Sequence, residues 1–155
     1  MKKVKRLFYL TTINLSSLRA QSIQVKNFVR SLSVFAHNNR KSFIAYSYSL
    51  VPENFEDYFK SFSKCSFRKR ILIQIYMCIQ LLNEKVVSRN DVFYSRDLFL
   101  LFLLSLLGFK SVHEYHHPSP ILNSLILKLY NLLPNTKLVV ISNALKKFVV
   151  QRHNC

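Results

Sequence analysis

Short, β-prone apolar runs alternate with longer helical stretches along the whole of this chain. That alternation is the mark of a parallel sheet with crossover helices, because parallel neighbours cannot be joined by a tight turn. The runs at 5–10, 42–48, 91–95, 111–115 and 137–141 predict strands. From about Ala20, Val25, Phe28, Val29, Leu32, Phe35 and Ala36 recur at spacings of three and four, which predicts a helix with that face inward and Lys26, Arg30 and Ser33 outward. A second helix is expected over about 69–85, apolar on most sides as if held between the sheet and another surface. A third opens near Asp97, whose charge suits a helix amino terminus, and stops at Gly108, the one glycine of the sequence, well placed as a left-handed cap. Ser142 or Asn143 caps a last helix, with Leu145, Phe148 and Val149 inward and Lys146 and Lys147 outward. The stretch 51–68, with Pro52 and three acidic residues, reads as a loop with a short helix. The expected fold class is α/β, a Rossmann-like parallel sheet with crossover helices, in one domain over 1–155.

Half of the residues are apolar, enough for a true core in 155 residues. The 23 Lys and Arg against 7 Asp and Glu give a formal charge of +16, which favours an anionic partner: acidic lipid, phosphorylated substrate or nucleic acid. The bases are spread along the chain, at Lys2, Lys3, Lys5 and Arg6, then Lys64, Arg68, Lys69 and Arg70, then Lys146 and Lys147. No nucleic-acid motif accompanies them, so nucleic acid is disfavoured beside a solvated basic surface or peripheral contact with an anionic membrane. Cys65, Cys78 and Cys155 are odd in number and far apart, which fits free thiols in a reducing, cytoplasmic setting. No metal is expected, since the histidines show no HExxH spacing. The basic start before Leu7 imitates a signal peptide, but its apolar core is short and soon broken by Thr11, Thr12 and Asn14. The apolar runs at 71–82, 98–107 and 121–133 fall short of the roughly 20 residues that span a bilayer and read as buried or interfacial helices.

Open parallel sheets bind ligands beyond the carboxyl ends of their strands. Four stretches follow predicted strands: 11–19, Ser95-Arg96-Asp97, Glu114-Tyr115-His116-His117-Pro118, and Ser142-Asn143. Glu114 and His116 are two apart on an extended segment, so both project from one side. A carboxylate beside an imidazole makes a proton or hydrogen-bond relay, fixing the ring tautomer and raising its basicity; loop anchoring is the competing role. Arg96 suits a phosphate, a sugar hydroxyl or Glu114 itself, against a plain salt bridge with Asp97 or Glu114. His37, at a helix end, and His113, inside a strand, have structural readings.

At these residues the sequence resembles the amino-terminal domain of family 4-like glycosyltransferases, which move a sugar from a nucleotide donor between two facing Rossmann-like domains, the GT-B architecture. The resemblance covers most of the chain. It is carried by the first strand at 6–10, the helix start Arg19-Ala20-Gln21-Ser22-Ile23-Gln24-Val25, the step Asp91-Val92-Phe93-Tyr94-Ser95-Arg96-Asp97, the segment Glu114-x-His116-x-Pro118, and Val139-Val140-Ile141-Ser142-Asn143-Ala144-Leu145-Lys146. It implies a cleft lined by the loop after the first strand and by 114–118, with His116 and Glu114 as the catalytic pair near the transferred sugar. Arg96 and Arg19 would lie on its rim, with His117, Ser142 and Asn143 as further substrate-binding positions. The implied substrates are a nucleotide-sugar donor and a polysaccharide or lipid-linked acceptor, with no other cofactor.

Two departures stand out. Residues 11–18 contain no glycine where the family often has a glycine-rich turn. The family's donor-side pair of glutamates seven residues apart is absent, and the sequence ends at Cys155 just past the last helix. The expectation is therefore a half-enzyme, completed by a missing carboxyl-terminal domain or a separate donor-binding chain, and inactive alone. The alternative expectation is a non-catalytic basic α/β module that binds acidic lipid or nucleic acid. A small hydrolase or reductase is disfavoured by the lack of GxSxG and GxGxxG motifs.

Overall fold

A computed structural model of the chain describes residues 6–17, 19–39, 41–49, 51–62, 69–83, 87–116, 121–143, 146, 147 and 150. Its strands are β1 (Arg6–Thr11), β2 (Ser42–Ser47), β3 (Phe59–Ser61), β4 (Val92–Ser95), β5 (Lys110–Tyr115) and β6 (Thr136–Val140). Its helices are α1 (Ala20–Asn38), α2 (Arg70–Asn83), α3 (Leu98–Leu106) and α4 (Ile121–Asn131), with a short 3-10 turn at Glu53–Phe55. The strands form one sheet in the order β3-β2-β1-β4-β5-β6, and every pairing is parallel. This is the doubly wound order of Rossmann-like folds. The chain therefore winds outward in opposite directions from the β1/β4 pair, and the loops that follow these two strands diverge above it.

The sheet is covered unequally. Phe8, Leu10, Phe93 and Tyr115 meet α2, α3 and α4 on one side, through Met77, Leu81, Leu100, Leu101, Leu104 and Tyr130. Tyr9 and Ala45 meet α1 on the other through Val25 and Val29, with Leu15 closing that core. The α1 stripe forms mostly as its spacing predicts, but Phe35 is 64% exposed rather than inward. Lys26, expected outward, lies partly buried with its ammonium 5.2 Å from the centre of the Phe55 ring.

Three further details correct or sharpen the expectations. The irregular stretch holds a three-residue edge strand, β3, whose Phe59 is buried. Gly108 has φ +87°, and its N–H donates to the Ser105 carbonyl while that of Phe109 donates to Leu104, the paired bonds of a Schellman cap. Near the end, the backbone turns helical at Asn143 and the Lys146 N–H donates to the Ser142 carbonyl, so Ser142 stands at the cap position. The predicted inward residues Leu145, Phe148 and Val149 lie outside the described residues, as do Cys65 and Cys155; Cys78 is a free, buried thiol. No helix among the described residues is long and apolar enough to cross a membrane.

Candidate functional site

Parallel register builds the site. Ser95 pairs with His113, so the next residues along, Arg96 and Glu114, become neighbours on one face of the sheet at its carboxyl edge. Arg96 donates from Nε to Glu114 Oε2 at 3.2 Å and from Nη2 to Oε1 at 3.3 Å, a fork-on-carboxylate pair. His116 Nε2 lies 2.5 Å from the same Oε1. Tyr94, one strand pleat back, adds a side-chain hydrogen bond to Glu114. Of the four roles open to Arg96, the structure realises the bond to Glu114, and Glu114 and His116 do share a side.

Glu114 is 6% exposed, and burial pushes its pKa up. The hydrogen bonds and charge of Arg96, with the bonds of Tyr94 and His116, outweigh that and hold the carboxyl below its ordinary range. An ionised carboxylate can only accept, so the His116 nitrogen facing it must carry the proton. In a neutral ring that leaves Nδ1 as the basic nitrogen, so Glu114 orients the imidazole rather than shuttling protons. Tyr94 is pushed well above the usual phenol range by burial and by Glu114. It stays a neutral donor.

A second polar cluster flanks β4 on the α2 side. The carboxylate of Asp97, 3% exposed, accepts from the Thr12 N–H at 3.0 Å and the Thr12 hydroxyl at 2.8 Å through Oδ2. Its Oδ1 takes the Arg70 guanidinium and, at 3.3 Å, the Gln74 amide. Asp97 does stand at the amino terminus of α3, but its side chain makes no capping bond there. It instead ties the β1 loop to α2 across the divergence of β1 and β4. Ser95 completes the tie, donating from Oγ to the Leu10 carbonyl at 2.7 Å and accepting from the Asp97 N–H at 2.9 Å. The loop amide nearest the switch point is thus already bonded to a carboxylate, which disfavours an anion at that spot.

The other predicted positions fare differently. Arg19 is exposed at the start of α1, and Ser142 and Asn143 are exposed after β6, all at the carboxyl edge but outside the Glu114 cluster. His117 lies outside the described residues. His113 is buried among Tyr115 and Tyr130, as a structural histidine should be, and burial pushes its pKa down to about 4. Sequence reasoning reached Thr12 only as part of the 11–19 stretch and missed Arg70, Gln74 and Tyr94. Gln74 carried a signal, since an amide on the apolar inward side of a helix needs a partner; Arg70 and Tyr94 carried none.

At the opposite, amino edge, Arg6 donates to both oxygens of Asp91 from its N–H, Nε and Nη2, the last at 2.6 Å. A cavity of about 140 Å³ lies there too, lined by Leu7, Leu32, Phe35, Ala36 and Val92 with Arg6 and Lys41. It adds nothing to the cluster at the carboxyl edge. Among the described residues no three or more His, Cys, Asp or Glu side chains group as a metal site. No family model, curated protein or solved structure matches this chain.

Proposed function

We propose that this domain is the acceptor-side half of a sugar-nucleotide glycosyltransferase of GT-B architecture, completed by a second, donor-binding domain. The observation that carries the reading is the Arg96-Glu114-His116 cluster at the carboxyl edge of a 3-2-1-4-5-6 parallel sheet, where such folds bind substrate. In this reading His116 is the catalytic residue: its imidazole, held by Glu114, meets the acceptor hydroxyl and draws on its proton as that oxygen bonds to the sugar carbon and the bond to the diphosphate breaks. Glu114 and Arg96 are positioning residues. Glu114 fixes the orientation of the ring, and Arg96 holds Glu114 in its ionised, accepting form. The leaving diphosphate needs positive charge from the second domain, because the switch-point amide of Thr12 is engaged by Asp97. The acceptor class proposed is a polysaccharide or lipid-linked glycan.

The test is a transferase assay on the chain co-expressed with a donor-binding domain of GT-B type, against a panel of nucleotide sugars. His116→Ala should lower kcat by about 100-fold or more at little cost in donor KM, and Glu114→Gln by less. Wild-type turnover in both variants removes the site. Turnover of a sugar nucleotide by the 155-residue chain alone removes the proposed division of labour.

A further inference from the structure

The outward side of α2 is as apolar as its inward side. Ile73, Met77, Cys78 and Leu81 hold the helix on the core, while Ile71, Leu72, Ile75, Ile79 and Leu82 face away, each between 37% and 53% exposed. Beyond Arg70 no residue of α2 is charged. Beside it, α3 has no charged residue at all and ends with Leu106 exposed. On α4, which packs on the far side of α3, Leu125 and Leu129 are exposed with Lys128 between them, and Leu132 is exposed just past its end. The helix on the opposite side of the sheet is mixed: α1 turns Gln21, Gln24, Asn27, Arg30 and Ser31 outward, with Ile23, Val34 and Phe35 exposed among them. A contiguous apolar face of this kind marks an interaction surface.

Two features select its occupant. Between Arg70 and Asn83 at its two ends, the exposed residues of α2 are five aliphatics with no hydrogen-bonding group, whereas protein interfaces carry about one hydrogen bond per 100–200 Å² and favour aromatic residues and Arg. Bare aliphatic side chains suit the acyl boundary of a bilayer. Charge supplies the second feature. Lys69 and Arg70 stand exposed at the start of α2, Lys128 lies within the α4 stripe, and the chain carries +16 overall, complementary to an anionic headgroup layer. We propose that the α2-α3-α4 face docks in the plane of an anionic lipid bilayer, with the α2 aliphatics in the acyl boundary and Lys69 and Lys128 against lipid phosphates. The inference rests on these exposed side chains and holds whether or not the chain belongs to a transferase.

The experiment is flotation of the full chain with vesicles of phosphatidylcholine, with and without phosphatidylglycerol. Binding is expected only to the anionic vesicles and should weaken with salt. Lys69→Gln and Lys128→Gln should each lower partition about fivefold, and Ile75→Glu with Ile79→Glu more than tenfold. The opposite-face pair Gln24→Glu with Asn27→Glu, which changes the net charge equally, should bind better than the α2 pair. The chain has no tryptophan, so Ile79→Trp gives a single indole that preserves the apolar face. Its emission should shift to the blue on anionic vesicles and be quenched by brominated acyl chains. No partition into anionic vesicles, equal loss in the two acidic pairs, or an unshifted indole overturns the proposal. So does a dimer that the α2 substitutions dissociate while vesicle binding is unchanged, which makes the face a self-interface.

Discussion

Asp97 is buried and receives the N–H and hydroxyl of Thr12, while its ion-pair partner Arg70 keeps 67% of its side chain exposed. The two ends of this pair therefore matter unequally. Arg70→Ala removes a solvated cation and should cost about 0–1 kcal/mol. Asp97→Ala strands two buried donors of Thr12 and the Gln74 amide, and should cost about 2–4 kcal/mol. Urea midpoints of the two variants check this, and equal losses would contradict it. His113 makes a different kind of prediction. Its folded pKa is about 4, lowered by burial, and its Nδ1 has no hydrogen-bond partner among the described residues. The unfolded chain therefore binds the extra proton between about pH 6.5 and 4, so this contribution is complete above that window and is lost as pH falls through it. Asp91 and Glu114, both lowered in the fold, act the same way but below the ordinary carboxylate range. His113→Phe should flatten stability between pH 6.5 and about 4.5 and leave the steeper acid limb in place. An unchanged slope in that upper window would refute the assignment.

At the scale of elements, Gly108 separates conformation from packing. An added Cβ there would meet nothing within 4 Å, yet φ is +87°. Gly108→Ala should thus cost only the left-handed backbone penalty, about 1–2 kcal/mol, measurable as a lowered Tm with no change in the core. The cap was legible in the sequence because a lone glycine ends a long apolar run. The five longer strands were legible too, their observed ends falling within one residue of the period-based reading. β3 was not: it has three residues, follows Pro52 and an acidic turn, and is defined by pairing with β2 rather than by its own pattern. Phe35 was misplaced because helical spacing gives a face but not where the sheet beneath it ends. The same distinction applies to the site. The common side of Glu114 and His116 follows from strand alternation, whereas Tyr94 and Thr12 reach the clusters through registers that only the folded sheet sets.

At the scale of the molecule, the net charge of +16 is carried outside the ion pairs at the sheet's edges. Of the 7 acidic residues, Asp91, Asp97 and Glu114 are buried and each is paired with an arginine, Arg6, Arg70 and Arg96 in turn, so these pairs cancel and add little to the outer field. The basic count was legible in the sequence; the pairing of Arg6 and Arg70 was not. The central pair of strands has a consequence of another kind. Arg6 with Asp91, Leu10 with Ser95 and Thr12 with Asp97 each join residues 85 apart. β1, made before β4 and destined for the middle of the sheet, has no β4 beside it until those 85 residues have been added, roughly 4 to 17 s at ordinary ribosomal speed. Through that interval the nascent chain exposes the open edge of its innermost strand, and it is then that mispairing or a chaperone can reach it.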